Sequence, residues 1–260
     1  MNRMAKGRSW TRDELIVAMN LYCKLPFGQL HHRNPVIIAL AEKLGRTPSS
    51  VAMKLCNFAS LDPVQQARGI SGLSGASAAD RAVWEEFHKD WERLAFESEQ
   101  RRAALAGKPV EAEAQIPEDE LPREGLERER VVRQRVNQSF FRAAVLAAYG
   151  SRCCVTGLAV PDLLIASHIV PWAKDKANRV NPRNGLCLNA LHDSAFDRGF
   201  ITLTPKLKVE VSPSLKVAPI EPVTKRLLLD YDNTDIRLPE RFLPDSELLA
   251  WHRKNVFRQS

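Results

Sequence analysis

The sequence predicts an α+β protein with a helical N-terminal domain and a C-terminal domain that combines short strands with a helix. Apolar residues in the first hundred positions repeat at helical spacing behind capping residues, whereas later apolar stretches are short and partly alternating, as in strands. A charged segment, 98–130, separates the two patterns. With 260 residues, 44% of them hydrophobic, the chain is long enough to form two folded domains.

The first two helices are predicted from their termini. Thr11 and Glu14 have the spacing of a capping box, and Asn34 followed by Pro35 is a typical helix start. Apolar residues at helical spacing follow each start, and Gly45 is expected to end the second helix.

A third helix is predicted over 49–59, after a Gly-Arg-Thr-Pro turn. Its apolar residues lie on one face, while Ser50, Lys54 and Asn57 lie on the other at i, i+4 and i+7. Three short helices of this kind resemble a helix-turn-helix DNA-binding module, whose third helix enters the major groove. The resemblance implies that these three polar residues contact DNA. The nearly balanced charge of the region keeps a protein-binding or purely structural role open.

The domain boundaries are predicted from changes in composition. A long helix that carries Trp84, Phe87, Trp91 and Leu94, capped by Ser77, closes the helical domain. The segment after it is rich in Glu, Arg, Ala and Pro, which is typical of a linker. The predicted divisions are a helical domain, a linker, a second domain and a C-terminal appendage packed on that domain: 1–97, 98–130, 131–217 and 218–260.

The second domain is predicted to contain two hairpins and a short helix. The stretches 153–157 and 163–172 are expected to pair as the first hairpin. A polar loop leads to a short helix in the second half of 184–199, ended by Gly199. Alternating apolar residues in 200–211 indicate the second hairpin.

Five residues able to support hydrolytic chemistry stand in order across these elements. They are His168 in Ser-His-Ile-Val-Pro, Asn184 in Asn-Gly-Leu, and His192, Asp193 and Asp197 on the short helix. This order resembles the HNH endonuclease family, which implies a ββα-metal fold over roughly 135–211. The succession of a helical module, an HNH domain and a tail is also similar to bacterial proteins classed as restriction endonucleases.

The chemistry of such an enzyme accounts for these residue types. Phosphodiester hydrolysis needs a base for the attacking water and a cation near the developing charge. The resemblance implies that His168 is the general base, and a neutral imidazole suits that task at cellular pH. Asp193 and Asp197 lie one helical turn apart and can share a divalent ion, Mg²⁺ or Mn²⁺. Asn184 is expected either to brace the loop or to contact the metal.

Two positions depart from the family pattern. Ser167 stands where many members have an Asp or His metal ligand before the base, and a hydroxyl is a weaker ligand. The ligand on the helix falls at Asp193 by spacing but at His192 by residue type. His192 therefore remains a candidate for both a catalytic and a metal-binding role.

The basic excess of the chain lies in one segment. Net charge is +7, and residues 131–217 carry 12 basic and 5 acidic side chains, whereas the other segments nearly cancel. A phosphate-binding domain would show this distribution, and a solvated basic surface is the alternative. Lys174, Arg179 and Arg183, in the polar loop beside the motif, are the predicted DNA contacts of this domain.

Cysteine usage and hydropathy indicate the cellular compartment. The five cysteines form no C-x-x-C pair, which argues against a disulfide framework or a four-cysteine zinc site and favours the cytoplasm. No apolar run reaches the about 20 residues that a membrane-spanning helix needs, and no signal peptide is expected.

Together these patterns favour a metal-dependent endonuclease that cuts double-stranded DNA, of a restriction or defence type, with the helical domain selecting the target. One alternative is a DNA-binding regulator with a silent HNH site, which Ser167 favours. Another is a nuclease effector that acts on RNA or is activated by a partner. A homodimer remains among the candidate assemblies, and the divalent ion is the one cofactor expected.

Overall fold

The computed structural model describes residues 8–69, 75–217 and 219–259. Their contacts divide the chain into two compact units, Met1–Ala148 and Tyr149–Ser260. Unit 1 is helical and unit 2 combines two small antiparallel sheets with helices, so the predicted α+β class is confirmed. Among the described residues, no helix is both long and apolar enough to cross a bilayer.

The helices of unit 1 begin where the sequence predicts caps. Thr11 and Glu14 form the reciprocal bonds of a capping box, and the Asn34 side chain accepts a hydrogen bond from the Val36 N–H. The helices are α1 (Arg12–Lys24), α2 (Pro35–Leu44), α3 (Pro48–Leu61), α4 (Pro63–Ala67), α5 (Ala78–Lys89), α6 (Trp91–Ala106), α7 (Val110–Glu113) and α8 (Gly125–Ala148).

Helix α1 forms the centre of unit 1. Every residue from Glu14 to Cys23 is buried, and the helix contacts α3, α5, α6 and α8. The polar side chain of Asn20, in the middle of this helix, has hydrogen-bond partners. Its Nδ2 donates to Ser98 Oγ and to Glu99 Oε1, both at 2.7 Å. A helix that is apolar on nearly all sides needs neighbours all round, which explains its central position.

The long helix predicted after Ser77 is two helices. Asp90 separates α5 from α6 with φ −150° and ψ 77°, and its side chain accepts a hydrogen bond from the Arg93 N–H at 3.0 Å. Aspartate is a strong N-cap, so the backbone ends one helix and begins another at this residue. The apolar spacing continues across the break, and for that reason periodicity alone does not reveal it.

The segment 98–130 is folded, in contrast to the predicted linker. It contains the end of α6, all of α7 and the start of α8. Leu121, Val132 and Val136 form a small apolar cluster, with Phe96 among the residues packed around it. A few apolar residues, spaced along the segment, are enough to pack these short elements together. The boundary between the two units follows Ala148 and does not lie within 98–130.

Unit 2 is built around the pairing of two five-residue strands. Its elements are β1 (Leu164–His168), β2 (Gly185–Asn189), α9 (Ala190–Asp197), β3 (Ile201–Leu203), β4 (Val209–Val211), α10 (Pro222–Leu227) and α11 (Ser246–Asn255). β1 pairs with β2 in antiparallel register, with His168 opposite Gly185. β3 pairs with β4, which confirms the second predicted hairpin. The Asn189 side chain caps α9, and Gly199 follows that helix with φ +74°.

The first predicted hairpin is wrong. Residues 153–157 form a turn, closed by bonds from Cys153 N–H to Leu158 O and from Gly157 N–H to Cys153 O, both at 2.9 Å. The strand partner of β1 is therefore β2, which follows a loop over 169–184. His168 stands at the end of β1, where this loop begins, and β2 leads directly into α9.

Candidate active site

A cleft of about 410 Å³ in unit 2 collects four of the predicted site residues. The end of β1, the start of the following loop, α9 and α11 form its walls. The lining residues are Ile165, Ala166, Ser167, His168, Ile169, Pro171, Trp172, Asp193, Asp197, His252 and Val256.

His168 is held in an orientation that suits a general base. Its Nε2 donates to the carbonyl oxygen of Arg179 at 2.9 Å, so a neutral ring keeps the lone pair of Nδ1 for proton uptake. The edge of the ring meets Trp172, with 5.7 Å between centroids. Burial lowers the pKa of His168, against the opposing effects of the Arg179 carbonyl and the Asp193 carboxylate. The imidazole is therefore mainly neutral at neutral pH.

Asp193 and Asp197 face the same cleft from one side of α9. Burial raises the pKa of Asp193, whereas the Ser167 hydroxyl and His168 oppose the rise. Burial also raises the pKa of Asp197, and the charge of Asp193 raises it further. Asp193 is half-buried and Asp197 is exposed. Two carboxylates that repel each other would be stabilised by a cation between them, which makes the pair a candidate cation site.

The oxygen donors in the cleft fit a divalent ion that keeps part of its water shell. Among residues 8–69, 75–217 and 219–259, no group of three or more His, Cys, Asp and Glu side chains is arranged to hold a metal. Asp193 and Asp197 nevertheless offer two carboxylates, with the buried Ser167 hydroxyl beside Asp193. Mg²⁺ and Mn²⁺ prefer such oxygen ligands, and Mg²⁺ usually retains several waters.

Asn184 acts as a brace for the loop. Its side chain is fully buried, donates to Val170 O at 3.0 Å and accepts from Val170 N–H at 2.8 Å. A further bond runs to the carbonyl oxygen of Asn178 at 3.3 Å. Of the two functions expected for this residue, the contacts match the brace, because Asn184 does not line the cleft. It ties the start of the loop to its end and so supports the carbonyl that binds His168.

His192 points away from the cleft, contrary to its candidate role as catalyst and metal ligand. The ring is buried, donates from Nδ1 to Asn189 Oδ1 at 3.1 Å and packs edge-on against Tyr231 at 5.2 Å. Helical geometry explains this, since adjacent residues differ in direction by about 100° on a helix with 3.6 residues per turn. Asp193, the candidate by spacing, is the residue that lies beside Ser167 and His168.

A comparison with protein families finds a match over this part of the chain. Residues 153–204 match the family model described as HNH endonuclease. This segment is therefore similar to HNH endonucleases, and we call it the HNH segment. The HNH segment contains β1, β2, α9 and β3, and with them His168, Asp193 and Asp197. Its presence supports nuclease activity, with DNA as the implied substrate. No curated protein matches the chain.

The basic residues predicted to bind DNA around the HNH segment differ in their contacts. The Arg179 guanidinium lies over the Trp172 ring, 5.0 Å from its centroid, at the edge of the cleft. Arg183 forms an ion pair with Asp245 at 3.0 Å, which reduces its availability to phosphate. Lys174 is exposed. Lys174 is thus more accessible to a DNA backbone than Arg183.

The polar face of α3 is mostly occupied within unit 1. Lys54 Nζ contacts both carboxylate oxygens of Asp80 at 2.9 Å, and Asn57 Nδ2 donates to Asp80 Oδ2 at 3.0 Å. Lys54 and Asn57 therefore contact the start of α5. Their contact with a DNA groove stays a prediction, and it would compete with their bonds to Asp80. The spacing of a polar face does not show whether another helix covers it. Ser50 is half-buried and remains a candidate contact.

No sequence pattern placed the C-terminal segment at the cleft. His252 and Val256 line it, and His252 is almost fully buried. Burial lowers the pKa of His252 to about 4, against a hydrogen bond to the Phe196 carbonyl that favours the charged ring. Both residues lie beyond the HNH segment. His252 lies on α11 and Val256 directly follows its last residue, and no motif in the sequence marks either of them.

Proposed function

We propose that the protein is a metal-dependent DNA endonuclease of a restriction or defence type. The observation that carries the proposal is the convergence of His168, Asp193 and Asp197 on one cleft within the HNH segment. A neutral imidazole beside two neighbouring carboxylates matches the needs of phosphodiester hydrolysis, namely a base for water and a site for a cation.

In this mechanism His168 removes a proton from the attacking water. The proton goes to Nδ1, because Nε2–H remains bonded to the Arg179 carbonyl. That bond also fixes the ring and stabilises the imidazolium that forms, as a hydrogen-bond acceptor does for any protonated histidine. Asn184 holds the loop and Trp172 packs against the ring, so the base keeps its direction through the reaction.

Asp193 and Asp197 would hold the divalent ion, with the Ser167 hydroxyl near Asp193. When bound, such an ion supplies charge stabilisation for the phosphate and for the oxygen that leaves. The two carboxylates would hold it on the side of the cleft formed by α9. Their raised pKa values mean that cation binding competes with protons, so affinity should increase with pH through the acid range.

The restriction or defence role is supported by the combination of a helical unit with an HNH segment. The three-helix arrangement of α1 to α3 with its helix-turn-helix resemblance makes unit 1 the candidate for target selection. Since Lys54 and Asn57 are engaged internally, target contact by α3 would use Ser50 and its neighbours near the start of that helix.

A cleavage assay tests the proposal. Supercoiled plasmids with and without methylated bases are incubated with the protein and Mg²⁺ or Mn²⁺, with EDTA and His168→Ala as controls. We expect metal-dependent cutting that the substitution removes, and a rate that differs between the two plasmids. Absence of cutting under every condition would contradict the nuclease, and equal rates on both plasmids would contradict a modification-dependent restriction role.

A DNA-binding regulator with a silent HNH site is the second candidate, and Ser167 is the observation that favours it. The side chain before the base is a hydroxyl, which leaves two carboxylates as the acidic groups of the cleft. The same assay separates the two, since a regulator would bind the plasmids and leave them uncut with either metal.

A further inference from the structure

The C-terminal end of α9 is bound by the last part of the chain. His252 Nε2 donates to the carbonyl oxygen of Phe196 at 3.1 Å. Arg258 donates twice, from Nε to Arg198 O at 2.9 Å and from its backbone N–H to Gly199 O at 3.0 Å. Carbonyl groups at the end of a helix lack intrahelical partners, so these bonds supply partners that would otherwise come from water.

The His252 ring is held by hydrogen bonds at both nitrogens and by stacking on one face. It stacks on Phe196 with 3.7 Å between centroids and an interplanar angle of 11°. With Nε2–H bonded to Phe196 O, Nδ1 accepts a hydrogen bond from Thr202 Oγ1 at 2.9 Å. Both nitrogens and one face of the ring thus hold α9 and β3 together, and the residue is only 1% exposed.

Gly199 allows the close approach that these bonds need. A Cβ atom at this position would lie 2.0 Å from the carbonyl oxygen of Val256, and its φ of +74° also disfavours a side chain. The Arg258 guanidinium covers the Phe200 ring at 4.1 Å. The chain after α9 is therefore in direct backbone contact with the chain after α11.

We infer that His252 and Arg258 are positioning residues, which hold α9 so that Asp193 and Asp197 face His168. We call His252, Val256 and Arg258 the C-terminal clasp. Asp197 lies between Phe196 and Arg198, two of the three residues whose carbonyls the clasp binds, so any movement of that helix end moves its carboxylate. The cation-binding role of Asp193 and Asp197 in this inference rests on the proposed function. The clasp lies outside the HNH segment, 153–204, and extends the functional domain to the C-terminal part of the chain.

Substitutions of His252 in the full chain separate its hydrogen bonds from its packing. His252→Phe keeps an aromatic ring against Phe196 but removes both hydrogen bonds. His252→Gln keeps an amide that can donate to Phe196 O and accept from Thr202, so it is the conservative variant. Glu247→Gln, an exposed position of the same helix, is the matched control.

Two measurements are made on each variant. Hydrogen exchange without metal reports the opening of α9 through peptides that cover 190–200. Plasmid cleavage with Mn²⁺ gives kcat and KM. For His252→Phe we expect faster exchange in α9 and a kcat lower by about 10- to 100-fold at a similar KM for DNA, as is usual when a group that orients ligands is lost. His252→Gln and Glu247→Gln should remain close to the wild-type protein in both.

The outcomes distinguish this inference from the proposed function. Unchanged exchange in α9 of His252→Phe would overturn the clasp, whatever the cleavage rate. Faster exchange with an unchanged kcat would overturn the positioning role and leave the clasp a contribution to stability alone. If the wild-type protein does not cut DNA, the proposed function fails and the positioning role falls with it. Faster exchange in that case would still support the clasp as the restraint on α9.

Discussion

Three histidines of unit 2 show how local contacts assign different roles to the same side chain. His168 uses Nε2 for a loop carbonyl and keeps a lone pair directed away from that bond, inside a cleft. His252 has both nitrogens engaged in hydrogen bonds. His192 is bonded to Asn189, the residue that caps its own helix. Of the three, His168 is the ring that lies beside Asp193 in the cleft, and we propose it as the group that exchanges a proton with water.

The assignment of Asp193 rather than His192 to the cation predicts opposite results for two neighbouring substitutions. Asp193→Asn should keep or raise the thermal stability of the metal-free protein, because it removes one of two carboxylates that repel each other. It should also reduce the increase in Tm that Mn²⁺ produces. His192→Gln should retain that increase. Thermal unfolding with and without Mn²⁺ measures both, and loss of the metal response in His192→Gln alone would reverse the assignment.

The buried His252 predicts a defined pH dependence of stability. Its pKa of about 4 in the folded protein lies below the ordinary value of 6.5, so the unfolded chain binds a proton in this interval that the folded chain does not. The free energy of unfolding should therefore fall as the pH decreases from 6.5 to 4, by up to about 3 kcal/mol from this residue.

The contribution is measured by urea unfolding at pH 7 and at pH 4.5 for the wild-type protein and His252→Gln. The variant lacks the titrating group, so its free energy of unfolding should change less between the two pH values. An equal change in both proteins would show that His252 is not held neutral by burial.

At the scale of elements, the folded state of 98–130 is the largest difference from the expected organisation. Two leucines in this segment provide a matched test, since Leu121 is buried and Leu126 is 84% exposed. Leu121→Ala should lower the free energy of unfolding by about 2–3 kcal/mol, because it opens a cavity in the small cluster with Val132 and Val136. Leu126→Ala should change it by less than about 0.5 kcal/mol. Equal and small effects in urea unfolding would indicate that the segment is an unpacked linker after all.

Features set by a few neighbouring residues were predictable from sequence, whereas long-range pairing was not. The caps at Thr11, Asn34 and Ser77 form as expected, because a cap depends on residues two or three positions away. The partner of β1 was misassigned, because 153–157 closes a local turn that its apolar composition does not reveal. Pairing across a loop depends on packing that a single sequence does not encode locally.

The candidate site shows the same contrast between local features and long-range contacts. The resemblance to the HNH family grouped His168 with the helix carboxylates, and helix periodicity put Asp193 and Asp197 on one face; all three line the same cleft. The internal engagement of Lys54 and the C-terminal clasp required tertiary contacts. The spacing of residues along an element does not show whether an element distant in sequence buries them.

For the whole molecule, the net charge of +7 overstates the number of cations available to DNA. Part of the basic excess of 131–217 is paired within unit 2, as in Lys208–Asp235 at 3.2 Å and Lys216–Asp232 at 2.6 Å. Exposed ion pairs are weak, but a paired lysine that meets a phosphate must give up its carboxylate. Lysines without this competition should therefore contribute most to the salt dependence of binding.

Two lysines of unit 2 test this expectation. Lys174→Gln should reduce the slope of log K against log salt by up to about 0.9, the contribution of one phosphate contact. Lys208→Gln should leave the slope nearly unchanged, because Lys208 is engaged with Asp235 and with the Asn233 carbonyl. Fluorescence anisotropy with a labelled duplex at several salt concentrations measures both slopes. A larger change for Lys208→Gln would contradict the placement of the DNA path near the loop after β1.

The most direct test of the central claim is the rate of plasmid cleavage by His168→Ala at saturating Mn²⁺, measured together with its affinity for the same DNA. Loss of a general base typically lowers the rate by about 10²- to 10⁴-fold. We expect a decrease in that range with nearly unchanged DNA affinity, because His168 lies within the cleft and the predicted DNA contacts of this unit are other residues. A rate within a few-fold of the wild-type protein would contradict the assignment of His168 as the base and, with it, of the cleft as the catalytic site.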